Sequence, residues 1–324
     1  MSPQPIRSKI RRPVVLITAL NPSIDCEWEV KKVRWEEKNI IDSERRWAGG
    51  KGVNVARWSQ HLRRESRLLI PLGGRTGKEL ADFLCAEKLS ARVLSVKQPT
   101  RVNVIITTAS QGQLRFNPKG PELSASEWQS VIRAAKAEVR QAAVLVLSGG
   151  LPRGLPTDAY AQLLTVARRI GKPCFLDCDG AALTAAIRGA PFLVKPNEHE
   201  LAEWRGKPLA SIADVLNASR ALADATQGWV LVSRGDQPAL LVHAREQRQL
   251  SATPPSTQTL NTVGAGDAML AGVVDAFLRG SPPEEWLRWG VAAGTAATQC
   301  AAGELPALSM IRKIAEHIEI RAAR

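Results

Sequence analysis

The stretch Asn261-Thr262-Val263-Gly264-Ala265-Gly266-Asp267-Ala268-Met269-Leu270-Ala271-Gly272 is the one on which the reading of the fold turns. Its two inner glycines permit a tight turn, and an apolar face from Met269 to Phe277 then continues as a helix. Turn followed by helix leaves free backbone N–H groups at a helix N-terminus. Such a terminus attracts a phosphate, or the negative charge that develops in phosphoryl transfer. Asp267 falls in the first helical turn, where it can accept a proton from a substrate hydroxyl. Taken alone, the segment reads equally well as a Gly-rich turn with an Asp at the helix start.

Upstream, short β-branched runs alternate with amphipathic segments, the sign of an α/β domain with a mostly parallel sheet. Strands are predicted at Val14–Ala19, Arg67–Leu72, Ala143–Ser148, Cys174–Asp177, Phe192–Lys195 and Trp229–Arg234. Helices are predicted at Gly52–Leu62, Gly77–Lys88, Ser124–Val139, Pro156–Ile170, Ser211–Ala225, Ala265–Arg279, Pro283–Cys300 and Pro306–Ile320. Two stretches break the rhythm: Glu27–Trp47, charged with alternating apolar positions, and Arg101–Phe116, rich in Val, Ile and Thr. Both are inserted between core elements, so they are predicted to form a small second sheet, a lid at one end of the main one. The expected organisation is one domain over 13–324 carrying lid strands at about 27–47 and 101–116, preceded by a basic tail over 1–12.

A second glycine cluster, Ala48-Gly49-Gly50-Lys51-Gly52-Val53-Asn54, also opens a helix and lets a ligand approach backbone beside Lys51 and Asn54. It lacks the Gly-x4-Gly-Lys-Ser/Thr order, and Gly77-Lys78 is followed by Glu79 rather than a hydroxyl, so a P-loop is disfavoured. In Leu193-Val194-Lys195-Pro196-Asn197-Glu198-His199-Glu200, Pro196 stops a strand and Asn197 caps a helix, with Glu200 in the capping-box position. The same pair is also suited to lie near a hydrated Mg²⁺, which takes carboxylates together with phosphate oxygens.

Composition narrows the classes further. The 324 residues carry a formal charge of +13, yet Arg7, Lys9, Arg11 and Arg12 hold four of those charges and the rest are spread thinly. No helix-turn-helix, zinc-finger or RNP signature is present, so no specific nucleic-acid partner is expected. No apolar run approaches the ~18 residues of a membrane span. Five scattered cysteines, odd in number, suit a reducing compartment, and a cytoplasmic location is expected.

The motifs occur in a fixed order: Asn21-Pro22-Ser23-Ile24-Asp25, Gly49–Ala56, Thr100-Arg101-Val102-Asn103, Ser148-Gly149-Gly150, Lys195–Glu200 and Thr262–Gly272. In that order the chain resembles the ribokinase-like sugar kinases, the phosphofructokinase B family, from about Val14 to Ala315. It is most similar to the branch that contains 1-phosphofructokinase, tagatose-6-phosphate kinase and the minor bacterial 6-phosphofructokinase. The resemblance implies a three-layer αβα fold with a central, mostly parallel sheet and a small β lid. It also implies ATP and Mg²⁺ as cosubstrates, a phosphorylated ketohexose as acceptor, and a homodimer formed through the lid. A phosphosugar-binding regulator without turnover is the alternative in a different class.

By the same resemblance, Asp267 is the catalytic base and Gly264, Ala265 and Gly266 form an anion hole. Asp25, Gly49, Gly50, Lys51, Asn54, Arg101 and Asn103 correspond to sugar-phosphate positions, with the guanidinium of Arg101 suited to the phosphate. Lys195, Asn197, Ser233 and Gly235 correspond to nucleotide contacts, and Asp177 and Glu200 to carboxylates that organise Mg²⁺ through water. Three positions depart from the pattern. Ile105 stands where 1-phosphofructokinases usually carry Lys, Pro238 stands where Gly is usual, and Cys300 replaces a polar residue associated with a monovalent cation.

Overall fold

A computed structural model of the chain describes residues 14–108, 112–246 and 248–323; the basic tail over 1–12 lies outside the described residues. The first third of the chain comprises β1 (Val15–Thr18), β2 (Ser23–Val30), β3 (Ser43–Gly49), α1 (Lys51–His61), β4 (Ser66–Gly73), α2 (Gly74–Ala86) and β5 (Ala91–Val96). Next come β6 (Arg101–Thr108), β7 (Gly112–Phe116), α3 (Ala125–Glu138), β8 (Val144–Ser148), α4 (Ala159–Arg168), β9 (Cys174–Asp177) and α5 (Gly180–Ala186). They are followed by β10 (Leu193–Val194), α6 (Glu198–Arg205), α7 (Ile212–Thr226), β11 (Trp229–Val232), β12 (Ala239–His243) and β13 (Arg248–Ala252). The chain closes with α8 (Ala265–Leu278), α9 (Pro283–Thr298), α10 (Leu308–Glu316) and β14 (Ile320–Ala322).

Ten strands form the main sheet in the order β14-β13-β12-β11-β10-β9-β8-β1-β4-β5. From β5 to β11 the pairings are parallel, whereas β12, β13 and β14 extend the sheet antiparallel. Strand β1, Val-Leu-Ile-Thr, is buried on both faces, as expected of a central parallel strand covered by helices. Its side chains alternate between two cores. Val15 and Ile17 pack with Val53, Leu80, Leu270, Val291 and Ile311, which come from α1, α2, α8, α9 and α10. Leu16 packs with Val131, Leu163, Leu183, Leu201 and Leu222, which come from α3 to α7. The result is the mostly parallel α/β sheet expected from the alternation of strands and helices, in the three-layer αβα arrangement that the family resemblance implied.

The small sheet has the order β3-β2-β6-β7. Strands β2 and β6 run parallel, with Ser23 opposite Arg101 and Asp25 opposite Asn103, while β3 returns antiparallel and sets Gly49 beside Ser23. This register brings the polar residues of three separate motifs to the end of the small sheet nearest the main one.

Several boundaries differ from the sequence reading. The helix predicted over Pro306–Ile320 ends at Glu316, because Ile318 is buried and Ile320 pairs with Ala252 as part of β14. The strand predicted to Arg234 ends at Val232, and Ser233 instead bridges to Asn197. Helix α2 starts three residues early, at Gly74. Within Glu27–Trp47 only the ends are extended, and the intervening loop holds Trp35 81% exposed. Among the described residues no helix is long and apolar enough to cross a membrane.

Candidate active site

The carboxyl ends of β1, β8, β9, β10 and β11 open into a cleft of about 610 Å³ that the small sheet borders. In open α/β sheets ligands bind outside such ends where the strand order reverses, and here the chain turns one way from β1 to β4 and the other way from β8 onward. Fourteen of the predicted site residues line this cleft: Asp25, Gly50, Lys51, Asn54, Arg101, Asn103, Asp177, Lys195, Asn197, Glu200, Ser233, Gly264, Gly266 and Asp267. Gly49, Ala265 and Gly235 do not line it. Gly49 acts from behind: a Cβ there would lie 2.2 Å from Cγ of Asp25, so only glycine leaves that carboxyl its place.

At the end near the small sheet, the buried Asp25 accepts hydrogen bonds at Oδ1 from Ser23 Oγ (2.8 Å) and Asn103 Nδ2 (2.8 Å). Burial raises the Asp25 pKa, against the opposing pull of those two bonds and of Arg101. Arg101 donates to the carbonyls of Pro118 (2.9 Å) and Asn21 (3.0 Å), which pin the guanidinium without neutralising it. Arg101 Nε and Asn103 Oδ1 are buried without a protein partner, and so is Ser148 Oγ. Polar atoms buried in this state are ordinarily satisfied by water or a ligand.

The opposite end is built on carboxylates and lysines. Asp177, at the end of β9, is ion-paired through Oδ2 to Lys195 Nζ (3.1 Å) and through Oδ1 to Lys51 Nζ (3.0 Å). Lys51 also reaches Glu200 Oε1 at 3.3 Å, so a residue expected beside the sugar sits between the two carboxylates expected to organise Mg²⁺. Burial alone would raise the Asp177 pKa, but the two lysines carry it below the usual range, and the same contacts push Lys51 upward. The predicted capping box is present: Asn197 N donates to Glu200 Oε2 (2.8 Å) and Glu200 N to Asn197 Oδ1 (2.8 Å). Because the box uses Oε2, Oε1 still faces Lys51, and the structural and functional readings of this segment coexist.

Between the two ends lies Asp267, in the first turn of α8. Gly264 caps that helix at φ 80°, a left-handed conformation that glycine adopts without Cβ strain. Gly264 and Gly266 line the cleft at this helix start, whereas Ala265, expected in the anion hole, does not, and its N–H bonds back to the Thr262 carbonyl at 3.4 Å. Asp267 is buried and its Oδ2 accepts from Asn54 Nδ2 at 2.9 Å. Burial pushes its pKa up to about 7, and the nearby Asp177 adds to the rise while Lys51, Asn54 and Lys195 oppose it. A carboxylate poised near neutral pH is suited to general-base work.

Among the described residues no group of three or more His, Cys, Asp or Glu could cage a metal ion. Asp177 and Glu200 line the cleft, and two such carboxylates fit a hydrated Mg²⁺ carried largely by phosphate oxygens. The sequence reading missed Arg115 and Asn117, which line the cleft from β7 and the residue following it, and Arg57 on α1. Arg115 lies opposite Ile105 across the β6–β7 pair, a neighbourhood visible only once the register is known.

The model for "pfkB family carbohydrate kinase" matches residues 13–308. The chain is 33% identical over 282 residues to the ATP-dependent 6-phosphofructokinase isozyme 2 of Escherichia coli (strain K12), covering 86% of this chain and 90% of that protein. It is 30% identical over 283 residues to the 1-phosphofructokinase of Bacillus subtilis (strain 168), covering 87% and 92% respectively. The crystal structure of phosphofructokinase-2 from Escherichia coli in complex with fructose-6-phosphate superposes with a TM-score of 0.84 at 30% identity, covering 94% of this chain and 98% of that one. With nearly its whole length matched, its predicted αβα layers present and a buried carboxylate at the N-terminus of α8, the chain belongs to the pfkB family of carbohydrate kinases.

Proposed function

We propose that this carbohydrate kinase transfers the γ-phosphoryl group of ATP to a hydroxyl of a phosphorylated ketohexose, giving a hexose bisphosphate and ADP. The observation that carries the reading is the position of Asp267, buried between a pinned guanidinium with a buried Asp on one side and a lysine–carboxylate cluster on the other. Arg101 binds the sugar phosphate, and Asp25, Asn103 and Asn54 take its hydroxyls, while Gly49 and Gly50 let it approach backbone. Lys195, Asn197, Ser233 and Gly235 serve the nucleotide. In the transfer step the sugar oxygen bonds to the γ-phosphorus as its proton passes to Asp267, and the bond from that phosphorus to the bridging oxygen breaks, leaving the electron pair on ADP. The N–H groups at Gly264 and Gly266 stabilise the charge on the transferring group. Asp177 and Glu200 would hold Mg²⁺ through water, and the bound ion would supply charge neutralisation on the phosphates.

Ile105 favours a 6-phosphate over a 1-phosphate, since the lysine usual in 1-phosphofructokinases is absent and Arg115 stands opposite. Comparing kcat/KM for fructose 6-phosphate, tagatose 6-phosphate and fructose 1-phosphate tests this choice. A 6-phosphate ranks first in this account, and a tenfold preference for fructose 1-phosphate would overturn it. The regulator alternative is disfavoured by the buried Asp267 at the start of α8, the group this reading assigns as base.

Because the deprotonated form of Asp267 is the base, activity is lost as pH falls through its pKa. The kcat/KM profile reports the free enzyme, so its acidic limb is expected to have a midpoint near 7. A profile that stays flat down to pH 5.5 would contradict the assignment. The β2–β3 loop exposes Trp35 and strand β7 exposes Phe116, and we propose that this lid region meets a second copy of the chain. Light scattering should then give the dimer mass at micromolar concentration, and a monomer mass would remove that proposal.

A further inference from the structure

Arg57 is an arginine on the buried face of α1, among Val53, Val55, Ala56 and Trp58, and only 7% exposed. Its Nε and Nη2 donate to the two carboxylate oxygens of Glu87 at 2.6 and 2.8 Å, just beyond α2. Nη2 also donates to the carbonyl of Ala48 (2.8 Å) at the end of β3, and Nη1 to Asn54 Oδ1 (3.0 Å). The other end of the Asn54 amide is the Nδ2 that donates to Asp267 Oδ2.

A guanidinium only donates and an ionised carboxylate only accepts, so the amide between them has one orientation that serves both neighbours. Turned over, it would set its oxygen against the carboxylate and its NH₂ against the guanidinium. Stability does not require such a charge: a buried ion pair can often be replaced by apolar side chains of similar volume without loss.

We propose that Arg57 is a positioning residue that locks the Asn54 amide with its N–H toward Asp267 Oδ2, leaving Oδ1 for the substrate hydroxyl. Glu87 and the Ala48 carbonyl are its anchors, and through Ala48 the device ties the base to the strand that carries Gly49 beside Asp25. The proposal rests on Asp267 being the base, as argued above.

The test uses the double variant Arg57→Met/Glu87→Leu, which removes the ion pair without stranding a charge, together with Arg57→Lys. In the double variant kcat is expected to fall by roughly 10- to 100-fold, the usual scale of loss when an outer partner of a reacting group is removed. KM for ATP should stay within about threefold, KM for the sugar phosphate should rise because Asn54 also meets its hydroxyls, and the melting temperature should stay close to that of the parent. Arg57→Lys keeps the charge but cannot serve Glu87, Ala48 and Asn54 together, and should recover part of the loss. The decisive comparison is made in an Asp267→Asn background, where a residue acting through Asp267 has nothing further to lose and the added substitutions should cost less than about twofold.

Wild-type kcat in a folded double variant would overturn the proposal, and so would an equal loss in both backgrounds, the mark of general damage to the fold. Should the double variant fail to fold, Arg57→Lys alone, made in both backgrounds, decides by the same comparison. If Asp267→Asn itself keeps turnover within tenfold of the parent, the base assignment has failed; a crippled Asp267→Asn beside a fully active double variant removes only the role of Arg57.

Discussion

Asp267→Asn is expected to lower kcat by roughly 100- to 10,000-fold, the range in which a general base contributes, while KM for ATP and for the sugar phosphate changes little. The substitution keeps the shape of the side chain and removes its ability to take a proton. Folding should survive it, since the carboxylate is buried and its ionisation is opposed by burial and by Asp177. A neutral amide relieves that cost, so the melting temperature of the variant should equal or exceed that of the parent. The residual rate is what the helix N-terminus and the ordered substrates still supply. Steady-state kinetics beside a thermal melt provide the check: a loss of less than tenfold in a well-folded variant removes Asp267 from the role of base.

Replacing Arg101 by Ala should act on binding. Its guanidinium is pinned by two carbonyls that carry no formal charge, its Nε is buried without a protein partner, and burial lowers its pKa against the pull of Asp25. The cation is therefore held ready for an anion. Losing a buried, charge-assisted contact costs about 2–4 kcal/mol, which at 1.4 kcal/mol per tenfold corresponds to roughly a 30- to 1,000-fold drop in kcat/KM for the sugar phosphate. The variant should lose most of the enzyme's preference for fructose 6-phosphate over fructose and keep its KM for ATP. A parallel fall in activity toward both sugars would mean that Arg101 supports the small sheet and does not grip the phosphate.

How much of this was legible in the residue string depends on the range of the interactions. Local signals were readable: Asn197 and Glu200 are three apart and do form the capping box, and the glycine before Ala265 does start α8 in a left-handed conformation. The mostly parallel α/β sheet followed from the alternation of β-branched runs with amphipathic segments, and the three layers from the order of the motifs and the family they resemble. Long-range partnerships were not readable, because spacing says nothing about contacts across 126 or 149 residues, the separations that join Lys51 to Asp177 and Glu200. Strands β5, β12, β13 and β14 were missed; β5, β13 and β14 mix charged and polar residues with apolar ones, so no clean apolar run marks them and their pairing comes from the neighbours they extend. Arg57 did leave a trace. It lies three residues after Asn54 on a helix face otherwise made of buried apolar side chains, and a charge in that setting asks for a partner.

The central claim is phosphoryl transfer to a ketohexose phosphate, and a single-turnover reaction tests it most directly. Enzyme in excess is mixed with γ-labelled ATP, Mg²⁺ and fructose 6-phosphate or tagatose 6-phosphate, and the label is followed by chromatography. The account predicts that the label appears in a hexose bisphosphate, in amounts equal to the ADP formed, and that ATP stays intact when the sugar phosphate is left out. Tight binding of a sugar phosphate with the label remaining in ATP, or passing only to inorganic phosphate, would contradict it.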